Sequence, residues 1–184
     1  MRSRNSSREA TLSTVLDQAI KNASRPGDEW DIDKMTTRDR LTVITKLAAE
    51  AGMRPQFQMR SRQTLLALVA CLAAQWAASV LEVDGADIWC RVRAEYERAH
   101  LKHSGMTPYN QGMSDDDRTY ILLEEVGEVA RACTPDAHTP TGHAGELGAE
   151  LIQTATMATA WLARVLTDAC APISSEGLRA EGAK

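Results

Sequence analysis

The placement of the prolines constrains the fold of this 184-residue chain more than any other feature. There are six: Pro26, Pro55, Pro108, Pro135, Pro140 and Pro172. Each lies in a segment that also carries Gly, Ser, Thr, Asn or Gln, and none interrupts a stretch with helical periodicity. Because proline breaks the interior of a helix, this placement is typical of residues that separate helices. We therefore expect helices in the segments between the prolines.

The residues between the prolines favour helix over strand. The chain has 28 alanines and 17 leucines, but only 16 valines and isoleucines together. Ala and Leu are strong helix formers, whereas β-branched residues supply most strands. We predict an all-α bundle of about six helices, followed by a flexible polar tail over residues 173–184. The expected helices are Arg8–Ala23, Thr36–Ala51, Ser61–Val83, Asp87–Lys102, Ser114–Cys133 and Ala144–Ala169.

Charge, hydropathy and cysteine spacing exclude several classes of protein. The net charge of −4 gives no general attraction to nucleic acid, which disfavours a DNA-binding regulator that uses Arg54, Arg60 and Arg62. The longest apolar run, Thr64–Ala74, is too short to cross a bilayer, so we expect no membrane partner. The four cysteines are widely spaced, which favours neither disulfides nor zinc. A cytoplasmic protein is predicted.

A weak internal similarity relates the two halves of the chain. The segment Leu65–Leu81 resembles Glu150–Leu166, and Trp76 aligns with Trp161. The similarity is interpretable either as a repeat or as the ordinary likeness of two helices rich in Ala and Leu. If it is a repeat, the two halves pack against each other as a pseudo-dimer.

The helices upstream of these segments also correspond. The aligned pairs are Asp39 with Asp117, Arg40 with Arg118, Lys46 with Glu124, Leu47 with Glu125 and Glu50 with Glu128. We therefore predict a helical half over residues 1–84, as a degenerate copy, and a second half over residues 85–172. Only the second half has acids at the two adjacent positions, Glu124 and Glu125.

Two glutamates share one flank of the predicted helix Ser114–Cys133. At about 100° per residue, Glu125 and Glu128 lie beside an apolar stripe that has to pack on other helices, whereas Glu124 points to water. The stripe consists of Leu122, Val126 and Val129. Half-buried carboxylates three residues apart repel each other and lose hydration, which costs stability unless a cation compensates.

The last helix repeats this layout. Glu150 and Gln153 lie on the matching flank, and Glu146 lies one turn earlier. If the two helices pack antiparallel, the oxygen ligands Glu125, Glu128, Glu150 and Gln153 converge. Hard oxygen donors suit Mg²⁺, with Mn²⁺ as the alternative. The competing interpretation is a solvated acidic helix face without a metal.

These acidic motifs resemble those of a known family. E-x-x-E on one helix, followed by E-x-x-D on the next, is the signature of MazG-like nucleoside triphosphate pyrophosphohydrolases, which are all-α proteins. The segments Ile121–Ala132 and Ala149–Leu162 are similar to the actinobacterial and phage branch of that family, and so is Trp89–Lys102. The resemblance covers residues 87–168, about half of the chain.

The resemblance assigns metal-binding roles, and the sequence departs from them at one position. Glu125 and Glu128 match the first metal-binding pair, and Glu150 matches the glutamate of the second. The final aspartate is replaced by Gln153 or, in the register that begins at Glu146, by Ala149. We prefer Gln153, because Ala149 turns away from the flank. An amide oxygen carries less charge than a carboxylate, which predicts weaker metal binding or altered chemistry.

The resemblance also implies an activity. It predicts Mg²⁺-dependent cleavage of a ribo- or deoxyribonucleoside triphosphate to the monophosphate and pyrophosphate, in a homo-oligomer (a dimer or a tetramer). Either Glu124 or Glu146 would orient the attacking water. The candidate phosphate-binding residues are Lys102, His103, Arg118 and Arg131. Because one charged ligand is missing, the alternative is a catalytically degenerate relative that binds nucleotides or other proteins.

Overall fold

The computed structural model describes residue 14 and residues 17–22, 32–134 and 146–170 of the chain. Within these ranges all regular structure is helical, which confirms the predicted all-α bundle. Residues 17–22 form the described part of α1. The other helices are α2 (Thr37–Gly52), α3 (Arg62–Leu81), α4 (Gly85–Lys102), α5 (Asp115–Ala132) and α6 (Leu147–Cys170). Two 3-10 turns, Ile32–Lys34 and Pro55–Phe57, precede α2 and α3.

Side-chain caps set the beginnings of α2, α3, α4 and α5. Thr36 and Ser114 each form a capping box, in which the hydroxyl accepts from the amide three residues later and an aspartate there accepts from the cap amide. Ser61 caps α3 in the simpler way, with its hydroxyl accepting from one amide. These caps agree with the helix starts expected near residues 36, 61 and 114.

Two boundaries differ from the prediction for identifiable reasons. Helix α4 begins at Gly85 rather than Asp87, because the Asp84 side chain accepts from the Asp87 amide and thereby acts as the N-cap. Helix α3 ends at Leu81 rather than Val83, because Glu82 has a left-handed conformation with φ 54°. The predicted residues 8–13, 15, 16, 23, 144 and 145 and the tail lie outside the described residues.

Helices α3 and α6 form the centre of the bundle. Their contact is the most extensive between any two described elements, and each buries a tryptophan, Trp76 at 2% exposure and Trp161 at 1%. Helix α2 packs on α3 and α5, while α4 and α5 pack on α6. A single apolar cluster includes buried residues from all six helices. The two halves of the sequence therefore share one core.

Helix α3 is the most apolar of the described helices. By length and composition it is the one described helix that could cross a membrane. In the bundle, however, 56% of its apolar window is buried, including Leu65, Val69 and Trp76. The central helix of a helical bundle has the same composition, so this property alone does not identify a membrane span.

Matching contacts occur at the starts of α2 and α5. The Arg40 Nε donates to the Ile32 carbonyl at 3.0 Å, and the Arg118 Nη2 donates to the Asn110 carbonyl at 2.7 Å. Each acceptor lies eight residues before its arginine. These equivalent contacts agree with the aligned pairs, and the division of the chain into two halves stays a prediction.

Candidate functional site

A cavity of about 330 Å³ opens between α4, α5, α6 and the loop that follows α4. Three helices contribute its polar lining, and the loop adds His103 and Thr107. The helix residues concerned are Glu95, Arg98 and Lys102 from α4, Glu124, Glu125 and Glu128 from α5, and Gln153 from α6. The cavity thus collects both acids and bases, and most of the residues predicted from sequence line it.

Helix α5 presents one face to the core and a neighbouring face to the cavity. Leu122, Val126 and Val129 are buried in the core, as their spacing predicts. Glu125 and Glu128 lie three residues apart on the cavity face, where α6 packs alongside. The apolar packing of α5 therefore fixes the rotation of the helix, and this rotation directs the two carboxylates into the cavity.

Three carboxylates converge at one point of this arrangement. Oxygen atoms of Glu125, Glu128 and Glu150 all lie within 4.8 Å of one another. Ligand oxygens bind Mg²⁺ at about 2.0–2.1 Å, so oxygens at this separation can share one ion after small side-chain adjustments. The structure thus brings together the three charged ligands that were predicted from sequence.

The Glu125 carboxylate of the cluster is strongly perturbed. Among the described residues, its Oε2 atom is buried and has no hydrogen-bond partner. Burial and then the charges of Glu128, Glu150, Glu124 and Glu95 raise the pKa of Glu125 to about 7. A buried carboxylate oxygen without a partner is costly, and a divalent cation would satisfy it. This donor set fits a hard cation such as Mg²⁺ or Mn²⁺.

Gln153 occupies the place that the resemblance gives to the final aspartate. Its Nε2 donates to the Glu150 Oε2 at 3.0 Å, and its side chain lines the cavity. Ala149, the alternative at that position, is exposed, and the described lining of the cavity does not include it. Of the two residues, Gln153 is therefore the one that lies beside Glu150 and the cavity, and its role as a fourth ligand stays a prediction.

The two candidates for orienting water lie in different places. Glu124 is exposed and lines the rim of the cavity. Glu146 is exposed at the residue before α6 and is not among the described residues that line the cavity. Of the two, Glu124 therefore has the better position for contact with a water molecule beside the cluster.

The four predicted phosphate-binding residues are also divided. Lys102 and His103 are exposed and line the cavity. Arg131 is exposed in the last turn of α5 and is absent from the described lining. Arg118 is buried at 6% exposure and has a different role from the one predicted. It donates to the carbonyls of Pro108 at 2.8 Å and Asn110 at 2.7 Å, so its guanidinium holds the loop before α5.

Sequence reasoning missed two charged residues of the cavity, Glu95 and Arg98. The guanidinium of Arg98 donates to both carboxylate oxygens of Glu95, at 2.7 and 2.6 Å. Together with Lys102 they occupy positions i, i+3 and i+7, which is one face of a helix. They border the apolar face of α4, which buries Ile88, Val92 and Ala99. Their place beside an apolar stripe was a readable signal that these charges lie at the edge of a packed interface, but it does not show which element packs there.

The first half has no comparable acidic site at the aligned positions. Leu47 is buried at 2% exposure, and Glu50 is buried at 6%. The Glu50 Oε1 accepts from the amides of Met59 at 2.7 Å and Arg60 at 3.2 Å, in the turn before α3. Glu50 therefore stabilises a turn, and the position aligned with Glu125 belongs to the core.

Comparison of this chain with protein-family models, with curated proteins and with solved structures finds no match. The resemblance to MazG-like proteins therefore stays a prediction. The function has to be inferred from the geometry of the cavity and the chemistry of the residues that line it.

Proposed function

We propose that this protein is a Mg²⁺-dependent nucleotide pyrophosphohydrolase. The observation that carries the proposal is the convergence of Glu125, Glu128 and Glu150 within 4.8 Å, where Glu125 and Glu128 also line the cavity. The buried, partnerless Oε2 of Glu125 supports it, because that oxygen lacks the interaction that a cation would supply. Carboxylate sites for Mg²⁺ commonly work together with the phosphates of a substrate.

In this proposal the four glutamates and Gln153 have defined tasks. Glu125, Glu128 and Glu150 would hold the ion, with the Gln153 carbonyl oxygen as a neutral fourth ligand. Bound Mg²⁺ would neutralise negative charge on the triphosphate. Glu124, at the rim, orients a water and accepts its proton. The water oxygen attacks the α-phosphorus while the bond to the α–β bridging oxygen breaks, which releases pyrophosphate.

A second candidate function is supported by Gln153. The neutral amide donates to the Glu150 carboxylate at 3.0 Å, so the cluster has one negative charge fewer than the pattern requires. Reduced charge weakens metal binding. The second candidate is therefore a module that binds nucleotides or a protein partner without turnover.

The decisive experiment measures release of pyrophosphate from a panel of ribo- and deoxyribonucleoside triphosphates with Mg²⁺ or Mn²⁺. Glu125→Ala should slow the release at least about 100-fold. Glu97→Ala removes an exposed glutamate of α4 that is not among the described lining residues, and it should leave the rate unchanged.

The same assay separates the two candidate functions. No release from any nucleotide with either metal would contradict the enzymatic proposal. Metal-dependent nucleotide binding without release, together with activity gained in Gln153→Asp, would favour the degenerate module instead.

A further inference from the structure

Two helix faces of unlike charge line the cavity. The α5 face carries the acids Glu124, Glu125 and Glu128, whereas the α4 face carries Arg98 and Lys102. If a cation binds to the carboxylates, the negative groups of its ligand need partners elsewhere in the cavity. The α4 face is the described wall that carries two permanent positive charges, and it is placed to supply them.

Within this face Arg98 is paired with Glu95. Both of its hydrogen bonds go to Glu95, through Nε at 2.7 Å and Nη2 at 2.6 Å. The Glu95 side chain is only 15% exposed, while that of Arg98 is 53% exposed. Glu95 is therefore the fixed partner, and the guanidinium is the group that can move. A guanidinium has five N–H donors, and these two bonds use two of them.

The chemistry of the pair resembles that of a phosphate site. A guanidinium binds the two oxygens of a carboxylate or of a phosphate in the same planar, bidentate manner. The hydrogen bonds to Glu95 and then its charge raise the pKa of Arg98, and the nearby charge of Glu125 contributes in the same direction. Arg98 thus lies within electrostatic reach of the acidic cluster while remaining accessible.

We propose that Arg98 binds a phosphate group of the substrate and that Glu95 holds the guanidinium in place when no substrate is bound. The inference rests on the proposed function, since it takes the ligand to be a metal-bound polyphosphate. An incoming phosphate exchanges with the Glu95 carboxylate for the same donors. Glu95 is then a competitor for Arg98 as well as its support.

The test uses two probes on the full chain: Mn²⁺ alone, and inorganic tripolyphosphate in the presence of Mg²⁺, both followed by calorimetric titration. Arg98→Ala should weaken tripolyphosphate binding about tenfold to 100-fold, because a charge-assisted bidentate contact is lost. Arg98→Lys should recover part of that loss, since it restores the charge without the fork. Mn²⁺ binding should stay within about threefold in both variants, as Arg98 is not a ligand.

Glu95→Gln distinguishes a binding role from a structural one. Removal of the competing carboxylate should tighten tripolyphosphate binding about threefold, whereas a purely structural pair would make it weaker or leave it unchanged. Arg38→Ala, which removes an exposed arginine of α2, serves as the control and should change neither titration.

The outcomes are distinguishable. Tripolyphosphate that fails to bind the wild type, or that binds Arg98→Ala as tightly as the wild type, overturns the role of Arg98 and leaves the metal site standing. Weaker or unchanged binding to Glu95→Gln overturns the competing role of Glu95. A wild type that does not bind Mn²⁺ contradicts the proposed function itself, and this inference with it.

Discussion

The helix pairs α2–α3 and α5–α6 begin with similar contacts. They differ at positions beside the apolar stripe that are leucines in the first pair and glutamates in the second. Thr36 and Ser114 form equivalent capping boxes, and Arg40 and Arg118 each donate to a carbonyl eight residues earlier. Both pairs then bury apolar stripes in the shared core. The first helix of each pair therefore begins with the same kind of cap, and both pairs contribute apolar residues to one core.

The flank residues differ in a way that explains the location of the cavity. At the positions aligned with Glu125 and Glu150 the first half has Leu47 and Leu65, and both leucines are buried. The remaining acid, Glu50, is satisfied by two backbone amides. At these aligned positions buried leucines stand in the first half, where the second half has glutamates of the acidic cluster.

The largest expected effect comes from making the second half resemble the first. Glu125→Leu copies Leu47, and it should lower Mn²⁺ affinity at least about 100-fold because a charged ligand is lost. Replacement of a buried, partnerless carboxylate by an apolar side chain should also raise the free energy of unfolding by about 1–3 kcal/mol. Metal titration and urea denaturation measure the two effects. A variant that keeps Mn²⁺ binding would break the comparison.

The acid retained by the first half should behave in the opposite way. Glu50→Ala leaves the amides of Met59 and Arg60 without their acceptor, and it should lower the free energy of unfolding by about 2–3 kcal/mol. Mn²⁺ affinity should not change. Glu50→Gln keeps an acceptor oxygen and should cost about 1 kcal/mol. A loss of metal binding in Glu50→Ala would instead mean that the first half takes part in the site.

The next prediction concerns the pH dependence of the free energy of unfolding. Glu125 should contribute to it, whereas the aligned Leu47 cannot. Because the pKa of Glu125 is raised from 4.5 to about 7, the native state holds a proton between these values that the unfolded chain releases. The free energy of unfolding should therefore fall as pH rises through this window, with the full loss reached above about pH 7. We expect a loss of about 1–2 kcal/mol, after allowance for solvent screening.

Urea denaturation in the presence of a chelator, at about pH 5 and pH 8, measures this difference. Glu125→Leu should remove it, and so should saturating Mn²⁺, because the ion favours the ionised carboxylate. If Glu125→Leu retains the whole pH dependence of the free energy of unfolding, a different group is responsible.

The smallest effect concerns the backbone of α5 beside the cavity. A Cβ atom added at Gly127 would meet no atom within 4 Å, so the flank is open there. Gly127→Ala should raise the free energy of unfolding by about 0.5–1 kcal/mol through helix propensity alone. Thermal denaturation measures it, and Gly85→Ala, also open but in the first turn of α4, should change stability less. Destabilisation of Gly127→Ala would mean that the flank is covered.

The fold was predictable because its determinants are local. Caps such as Thr36, Ser61 and Ser114 and the apolar stripe of α5 are visible in the sequence, and the helices begin close to where they indicate. The convergence of Glu125 and Glu150 was also predictable, since equal flanks on neighbouring helices face each other. These properties need only helical periodicity and one assumption about packing.

The properties that the sequence did not predict depend on which side of each helix contacts a distant part of the chain. Arg118 has the composition of a surface charge, yet its guanidinium is buried by the loop at Pro108 and Asn110. Glu95 and Arg98 belong to the site because α4 packs against α6, a contact between residues far apart in sequence. Local pattern does not show which elements pack together, so these roles follow from tertiary structure.

The central pairing of α3 with α6 has a consequence for cooperativity. Each half of the sequence supplies one helix of this pair, so neither half retains a complete core if the other unfolds. The chain should consequently behave as a single folding unit with one equilibrium transition, despite its two similar halves. Residues 85–172 expressed alone would expose the surface of α6 that α3 covers, and the acidic cavity would lose its support without any change in its own residues.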